Sequence, residues 1–158
     1  ALFFAHKEEA YLQLKSLVQG LHVSDILMYD YNSLDGGLTA HGAAAILQQN
    51  HSKNFIVMDQ GRPVGIINRM TIIKAIAEKH YDTRLTKLMS KDLQTLEANA
   101  LVDSLLDRLS SSEEKIYPVL DNNRFVGVTN FQHIIEYLLL HTSTTNKFAK
   151  TKSLAELV

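Results

Sequence analysis

One stretch of this chain is written twice. Residues 55–76 read FIVMDQGRPVGIINRMTIIKAI and residues 117–138 read YPVLDNNRFVGVTNFQHIIEYL, at a constant offset of 62 with no gap. Eight positions of this stretch are identical: Val57/Val119, Asp59/Asp121, Arg62/Arg124, Val64/Val126, Gly65/Gly127, Asn68/Asn130, Ile72/Ile134 and Ile73/Ile135. The same offset pairs Asp30 with Asp92, Leu34 with Leu96, Leu47 with Leu109 and Lys53 with Lys115. Over the 56 positions from Val23 to Glu78 that makes 12 identities, where ordinary composition gives roughly three or four. Self-similarity at a fixed period means one supersecondary unit used twice. Such a unit cannot bury both sides of its small sheet alone, and two copies packed together can.

Each copy is legible locally. Ala43-Ala44-Ala45-Ile46-Leu47 in the first, and Leu101-Val102, Leu105-Leu106 and Leu109 in the second, have helical spacing. Short apolar runs follow, Phe55 to Met58 and Ile116 to Leu120, each leading into a tight turn. There Gly61 aligns with Asn123, the residue types that best tolerate the positive φ of a two-residue hairpin. A second run, Val64 to Ile67 and Val126 to Thr129, ends at Asn68 or Asn130, both good helix N-caps. The pattern predicts helices over about 40–49, 69–79, 100–111 and 131–140. It predicts hairpins pairing 54–58 with 63–67 and 116–120 with 125–129, with boundaries good to about two to four residues.

The flanks differ. In residues 1–22, Phe3, Ala10, Leu14, Leu17 and Leu21 share one helical face, with Lys7, Glu8, Glu9 and Lys15 elsewhere, which predicts an amphipathic linker helix. Residues 142–158 open on a polar, basic stretch without periodicity and read as a flexible tail. The expected organisation is 1–22 linker helix, 23–80 first repeat, 81–141 second repeat and 142–158 tail. The chain opens on Ala1 and reads as a fragment of something longer.

Composition narrows the function classes. Lys and Arg total 16 against 17 Asp and Glu, so no basic footprint for nucleic acid is present. The absence of cysteine excludes disulfides and cysteine zinc sites. The seven histidines include no pair at spacing three or four, and no metal site is expected. There is no His-Glu-x-x-His motif: His6-Lys7-Glu8-Glu9-Ala10 lacks both the adjacent Glu and the second His. Glu113-Glu114 reads as a solvated helix end rather than a catalytic acid pair. No phosphate loop, dinucleotide fingerprint or nucleophile elbow appears, and no catalytic residue is expected.

The stretches FIVMDQGRPVGIIN and YPVLDNNRFVGVTN resemble the core of CBS domains, and Val23-Ser-Asp-Ile-Leu-Met28 and Leu85-Thr-Lys-Leu-Met89 resemble the short motif that opens one. The resemblance covers residues 23–140. It implies an α+β fold of two βαββα repeats related by a pseudo-twofold and preceded by the N-terminal helix. It also implies a regulatory tandem (Bateman) module, a homodimer through the CBS helices, and adenine nucleotides bound in crevices between the repeats. The flanking segments Phe3-Phe4-Ala5 with Glu9, Leu17 to Val23, and Asn130 to Glu136 are similar to the C-terminal CBS region of site-2-protease-like membrane metallopeptidases. That likeness implies an attached membrane domain outside this chain, with this module on the cytoplasmic side.

The family's ligand motif is Gly, an apolar residue, any residue, Thr or Ser, two further residues, then Asp. Both copies depart from it. They read Gly65-Ile66-Ile67-Asn68-Arg69-Met70-Thr71 and Gly127-Val128-Thr129-Asn130-Phe131-Gln132-His133. Asn replaces the hydroxyl twice, and Thr71 and His133 stand where the ribose-binding carboxylate belongs. Asn68 and Asn130 need no ligand to explain them, since helix capping accounts for both, and that reading is favoured over a ligand role. The candidate binding set is Gly65, Asn68, Arg69, Thr71, Gly127, Asn130 and His133, with Ile56 and Pro118 as apolar wall. Arg69 is the basic group nearest a phosphate, and AMP, ADP or ATP is expected to bind weakly. Arg62, Arg124, Lys53 and Lys115 are expected to be solvated. The alternative function is a structural dimerisation module without ligand.

Overall fold

The computed structural model describes the backbone of residues 2–112, 115–142 and 157, and the side chains of these except 2–6 and 142. Phe3, Phe4, Glu113-Glu114 and almost all of the expected tail therefore lie outside the described side chains. The elements run α1 (Leu2–Leu17), a 3₁₀ turn (Val23–Ile26), β1 (Ser33–Asp35), α2 (Ala40–Gln49), β2 (Asn54–Asp59), β3 (Arg62–Asn68), α3 (Arg69–Ala77), α4 (Leu85–Leu88), β4 (Leu96–Glu97), α5 (Val102–Ser110), β5 (Tyr117–Asp121), β6 (Arg124–Thr129) and α6 (Phe131–Thr142). The fold is α+β, with two three-stranded sheets ordered β1-β2-β3 and β4-β5-β6. In each sheet the first strand is parallel to the second and the second antiparallel to the third.

The turn chemistry fixes the hairpins. Gln60 and Gly61 have φ of 51° and 75°, and Asn122 and Asn123 have 49° and 66°. Both central residues are left-handed, as the right-handed twist of the strands demands. Each hairpin slips register at one place, between Val57 and Met58 and between Val119 and Leu120. Asn68 Oδ1 accepts from the Met70 amide at 2.7 Å and Asn130 Oδ1 from the His133 amide at 2.7 Å, so both asparagines cap helices. α3 stops at Ala77, two residues before the expected end. There Lys79 turns left-handed, and the His80 amide reaches back to the Ala75 carbonyl at 2.8 Å, a Schellman closure.

The chain forms two compact units that cut across the repeats: residues 30–94, and residues 1–29 with the second repeat from residue 95. The reason lies in the opening segments. Met28 exchanges backbone hydrogen bonds with Val128, at 2.7 and 3.0 Å. Ser90 does the same with Ile66, at 2.8 and 2.9 Å. The equivalence at offset 62 is complete, since Met28 matches Ser90 and Ile66 matches Val128. It continues in Val23 N to Ala100 O against Leu85 N to Leu38 O, Ser24 N to Ala98 O against Thr86 N to Gly36 O, and Val102 N to Leu21 O against Ala40 N to Thr83 O. Each repeat's opening segment thus completes the other repeat's sheet.

The core of the 30–94 unit holds Leu34, Leu47, Phe55, Val57, Ile67, Ile72 and Leu85. The core of the other unit holds Val23, Ile26, Val102, Leu106, Tyr117, Val119, Ile134 and Ile135 together with Leu14 and Val18 of the N-terminal region. Ala10, Leu14 and Val18 form the buried stripe of that region, while Leu17 and Leu21 are only partly buried. α1 is pinned to α5 by the Tyr11 hydroxyl, which donates to Asp107, and by Lys15 Nζ 3.3 Å from the same carboxylate.

Candidate functional site

The residues singled out in the sequence gather as two equivalent sets, each within one unit. In the 30–94 unit, Ile56 pairs with Ile66 across the hairpin, and Ile66 is bridged to Ser90. β3 then leads through Asn68 into Arg69 and Thr71 on the first turn of α3. In the other unit Pro118 pairs with Val128, Val128 is bridged to Met28, and β6 leads through Asn130 to His133 on the first turn of α6. Strand alternation puts Ile56 and Ile66 on the sheet face opposite Phe55, Val57 and Ile67. Ile56 and Val128 are nonetheless fully buried.

The two glycines serve the same close approach. A Cβ on Gly65 would lie 2.6 Å from the Ser90 carbonyl oxygen and 2.6 Å from Met89 Sδ. On Gly127 it would lie 3.0 Å from the Met28 oxygen, and the φ of 155° there disfavours a side chain as well. These glycines admit the opening segment of the other repeat.

Arg69 is engaged. Its guanidinium donates to the carbonyls of Asn50 at 2.6 Å and Leu47 at 2.8 Å, the C-terminal end of α2. A cation there satisfies orphan carbonyls and complements the helix dipole. The position equivalent to Arg69 is Phe131, which is buried in the core instead. His133 is partly buried. Burial pushes its imidazole below the usual histidine range, against the nearby Glu136 carboxylate and a hydrogen bond to the Leu27 backbone, which both favour the charged form. The site groups thus comprise two capped helix N-termini, an arginine committed to its own fold, a threonine and a desolvated histidine. No carboxylate stands at either expected ribose position.

Of the residues expected to be solvated, Lys53 lends its carbonyl to the Arg69 amide at 2.7 Å while its side chain is exposed, and Lys115 Nζ lies 5.8 Å from the Tyr117 ring centroid. Arg62 and Arg124 are exposed at the hairpin tips. The leading strands that the βαββα resemblance implies are β1 and β4; periodicity gave no position for them and did not reveal the opening segments' role beside the candidate sites. The Met that closes each opening motif was the available signal.

The family model described as CBS domain matches twice, over residues 23–78 and 85–140. The chain belongs to the CBS-domain family. Its relatives include an uncharacterised 17.7 kDa protein of the bps2 3′ region in Acidianus ambivalens, 27% identical over 72% of this chain and 71% of that protein. Among solved structures, an acetoin utilization protein (AcuB) from Vibrio cholerae aligns with a TM-score of 0.63 at 16% identity, over 80% of this chain and 98% of that one. The cytosolic domain of the Mg2+ channel MgtE, solved in complex with ATP, aligns with a TM-score of 0.58 at 16% identity, over 73% of this chain and 48% of that one. This protein is a tandem CBS pair, and at these identities the solved structures speak for its fold.

Proposed function

We propose that this CBS pair is a non-catalytic regulatory module. It acts by changing how its helices pack on a second copy or an attached domain, and it holds adenine nucleotides weakly in its two motif sites. One observation carries the reading. The backbone frame of a paired module is complete in both repeats, while the acceptor groups for a ribose are replaced by Thr71 and His133. A charge-assisted hydrogen bond contributes about 1.5–3 kcal/mol. Its absence weakens binding by about tenfold to a hundredfold. Arg69 is held away from that role, because both terminal nitrogens of its guanidinium donate to the carbonyls of Asn50 and Leu47. Thermal melting and calorimetry with AMP, ADP and ATP near pH 7 test the reading, since a ligand that binds the native state raises the melting temperature. Little or no rise in melting temperature at micromolar nucleotide is expected. Low-micromolar binding abolished by altering Asn68 or His133 would overturn it.

We also propose, from the flanking segments around Phe4, Glu9, Gly20 and Phe131, that the parent is a site-2-protease-like membrane metallopeptidase with this module on the cytoplasmic face. Support for it is sequence likeness alone. Reading the gene on either side of this chain tests it, and a parent lacking a membrane zinc-protease core would end the idea.

A further inference from the structure

A cavity of about 430 Å3 opens on the 30–94 unit, lined by Asp59, Val64, Thr86, Lys87, Met89 and Lys91. It lies toward the hairpin tip, beside Asp59 and Val64, whereas Asn68, Arg69 and Thr71 follow the other end of β3. Lys87 lies in the last turn of α4, Met89 and Lys91 follow in the segment that leaves it, and the Ser90 bridge to Ile66 holds this segment against β3. Among the described residues neither lysine is ion-paired. The floor, from Val64 and Met89, is apolar, and the Thr86 side chain adds a hydroxyl.

The other repeat supplies an internal control. The same backbone positions there carry Asp121, Val126, Ser24, Asp25, Leu27 and Tyr29. The carboxylate, the valine and the hydroxyl persist, but an aspartate and a tyrosine replace the two lysines. The matched backbone bonds of the opening segments show that the frame alone does not call for lysine at these positions. In a chain with 16 basic and 17 acidic residues, general surface charge does not explain two lysines at these positions and none at the equivalent positions of the other repeat.

We propose that this cavity binds a compact phosphate-bearing anion, with Lys87 and Lys91 as the charge partners and Thr86 as a hydroxyl donor. Lysine ammonium groups serve phosphate as point charges on flexible stems, and the apolar floor suits a small organic group attached to the phosphate. The site is distinct from the two motif sites and does not depend on nucleotide binding there.

Calorimetry and amide chemical-shift mapping with sodium tripolyphosphate, which has no ring to occupy a motif site, test the proposal. Saturable binding is expected, with shifts centred on Thr86 to Lys91 and weakening as salt rises. Lys87→Gln combined with Lys91→Gln removes two exposed charges and should cut affinity at least tenfold, while Asn68→Ala and His133→Gln should leave it unchanged. Absence of saturation at 10 mM, a Kd unmoved by the lysine variants, or saturation by citrate but not by tripolyphosphate would each overturn it. A melting curve of the double variant that matches the parent shows that lost binding is not lost folding.

Discussion

Thr129 occupies the position that Ile67 fills in the first repeat, and both side chains are fully buried. Its Oγ1 finds no hydrogen-bond partner among the described residues. A buried hydroxyl without a partner costs stability, and an apolar group of the same shape removes that cost. Thr129→Val is therefore expected to stabilise the protein by about 1 kcal/mol in denaturant titration, and a loss of stability would show an unrecognised partner. His133 sets a pH dependence. Burial holds its folded-state pKa below the usual value, so above about pH 6.5 it is neutral in both states and exacts no penalty. As pH falls below that value the unfolded chain takes up a proton that the folded chain resists, and stability drops until the folded-state pKa is passed. Melting temperature should decline between pH 7 and pH 5, and His133→Gln should flatten that decline. An unchanged slope in the variant would place the effect on another histidine.

At the scale of elements, the opening segments decide the architecture. Each lends two backbone hydrogen bonds to the third strand of the other repeat, and Gly65 and Gly127 clear the space for it. Gly65→Ala puts a methyl group against the Ser90 carbonyl, which is backbone and cannot swing aside. Overpacking of this kind costs about 1–3 kcal/mol. The expected outcome is a lower denaturation midpoint with an unchanged slope, and a stability equal to the parent's would mean that the segment moves freely. Much of this scale was legible in the sequence. Gly61 and Asn123 marked the turns, and Asn68 and Asn130 marked the helix starts. β1 and β4 were not, because strands of three and two residues are too short to show a period, and parallel pairing with β2 and β5 makes them strands.

For the whole molecule, the helical faces of the two repeats are unequal. Ile135 and Leu106 are buried in one core with Leu14 and Val18. The equivalent positions, Ile73 and Ala44, are not fully buried: Ile73 is 36% exposed, Met70 one turn before it on α3 is 63% exposed, and Ile46 on α2 is 38% exposed. Exposed large apolar side chains on α2 and α3, two helices packed on each other, favour association. We propose a second copy as the partner, with α2 and α3 as the contact. Light scattering at high micromolar concentration should give a dimer mass, and Ile73→Glu should shift it to monomer. A monomeric parent protein would remove the proposal.

Two copies of one unit, their hairpins and caps, and the departure from the ligand motif at Thr71 and His133 could all be read from the chain itself, because they depend on residue identity and spacing along it. The tertiary structure alone decided the rest. Arg69 read as a phosphate candidate until Leu47 and Asn50 were brought within reach of its guanidinium, since a side chain's partners come from other turns of the fold. Lys87 and Lys91 carried no signal until the bridge from Ser90 to Ile66 set their segment beside Asp59 and Val64. Period and propensity are local quantities, whereas a cavity is defined by residues that only long-range pairing makes neighbours.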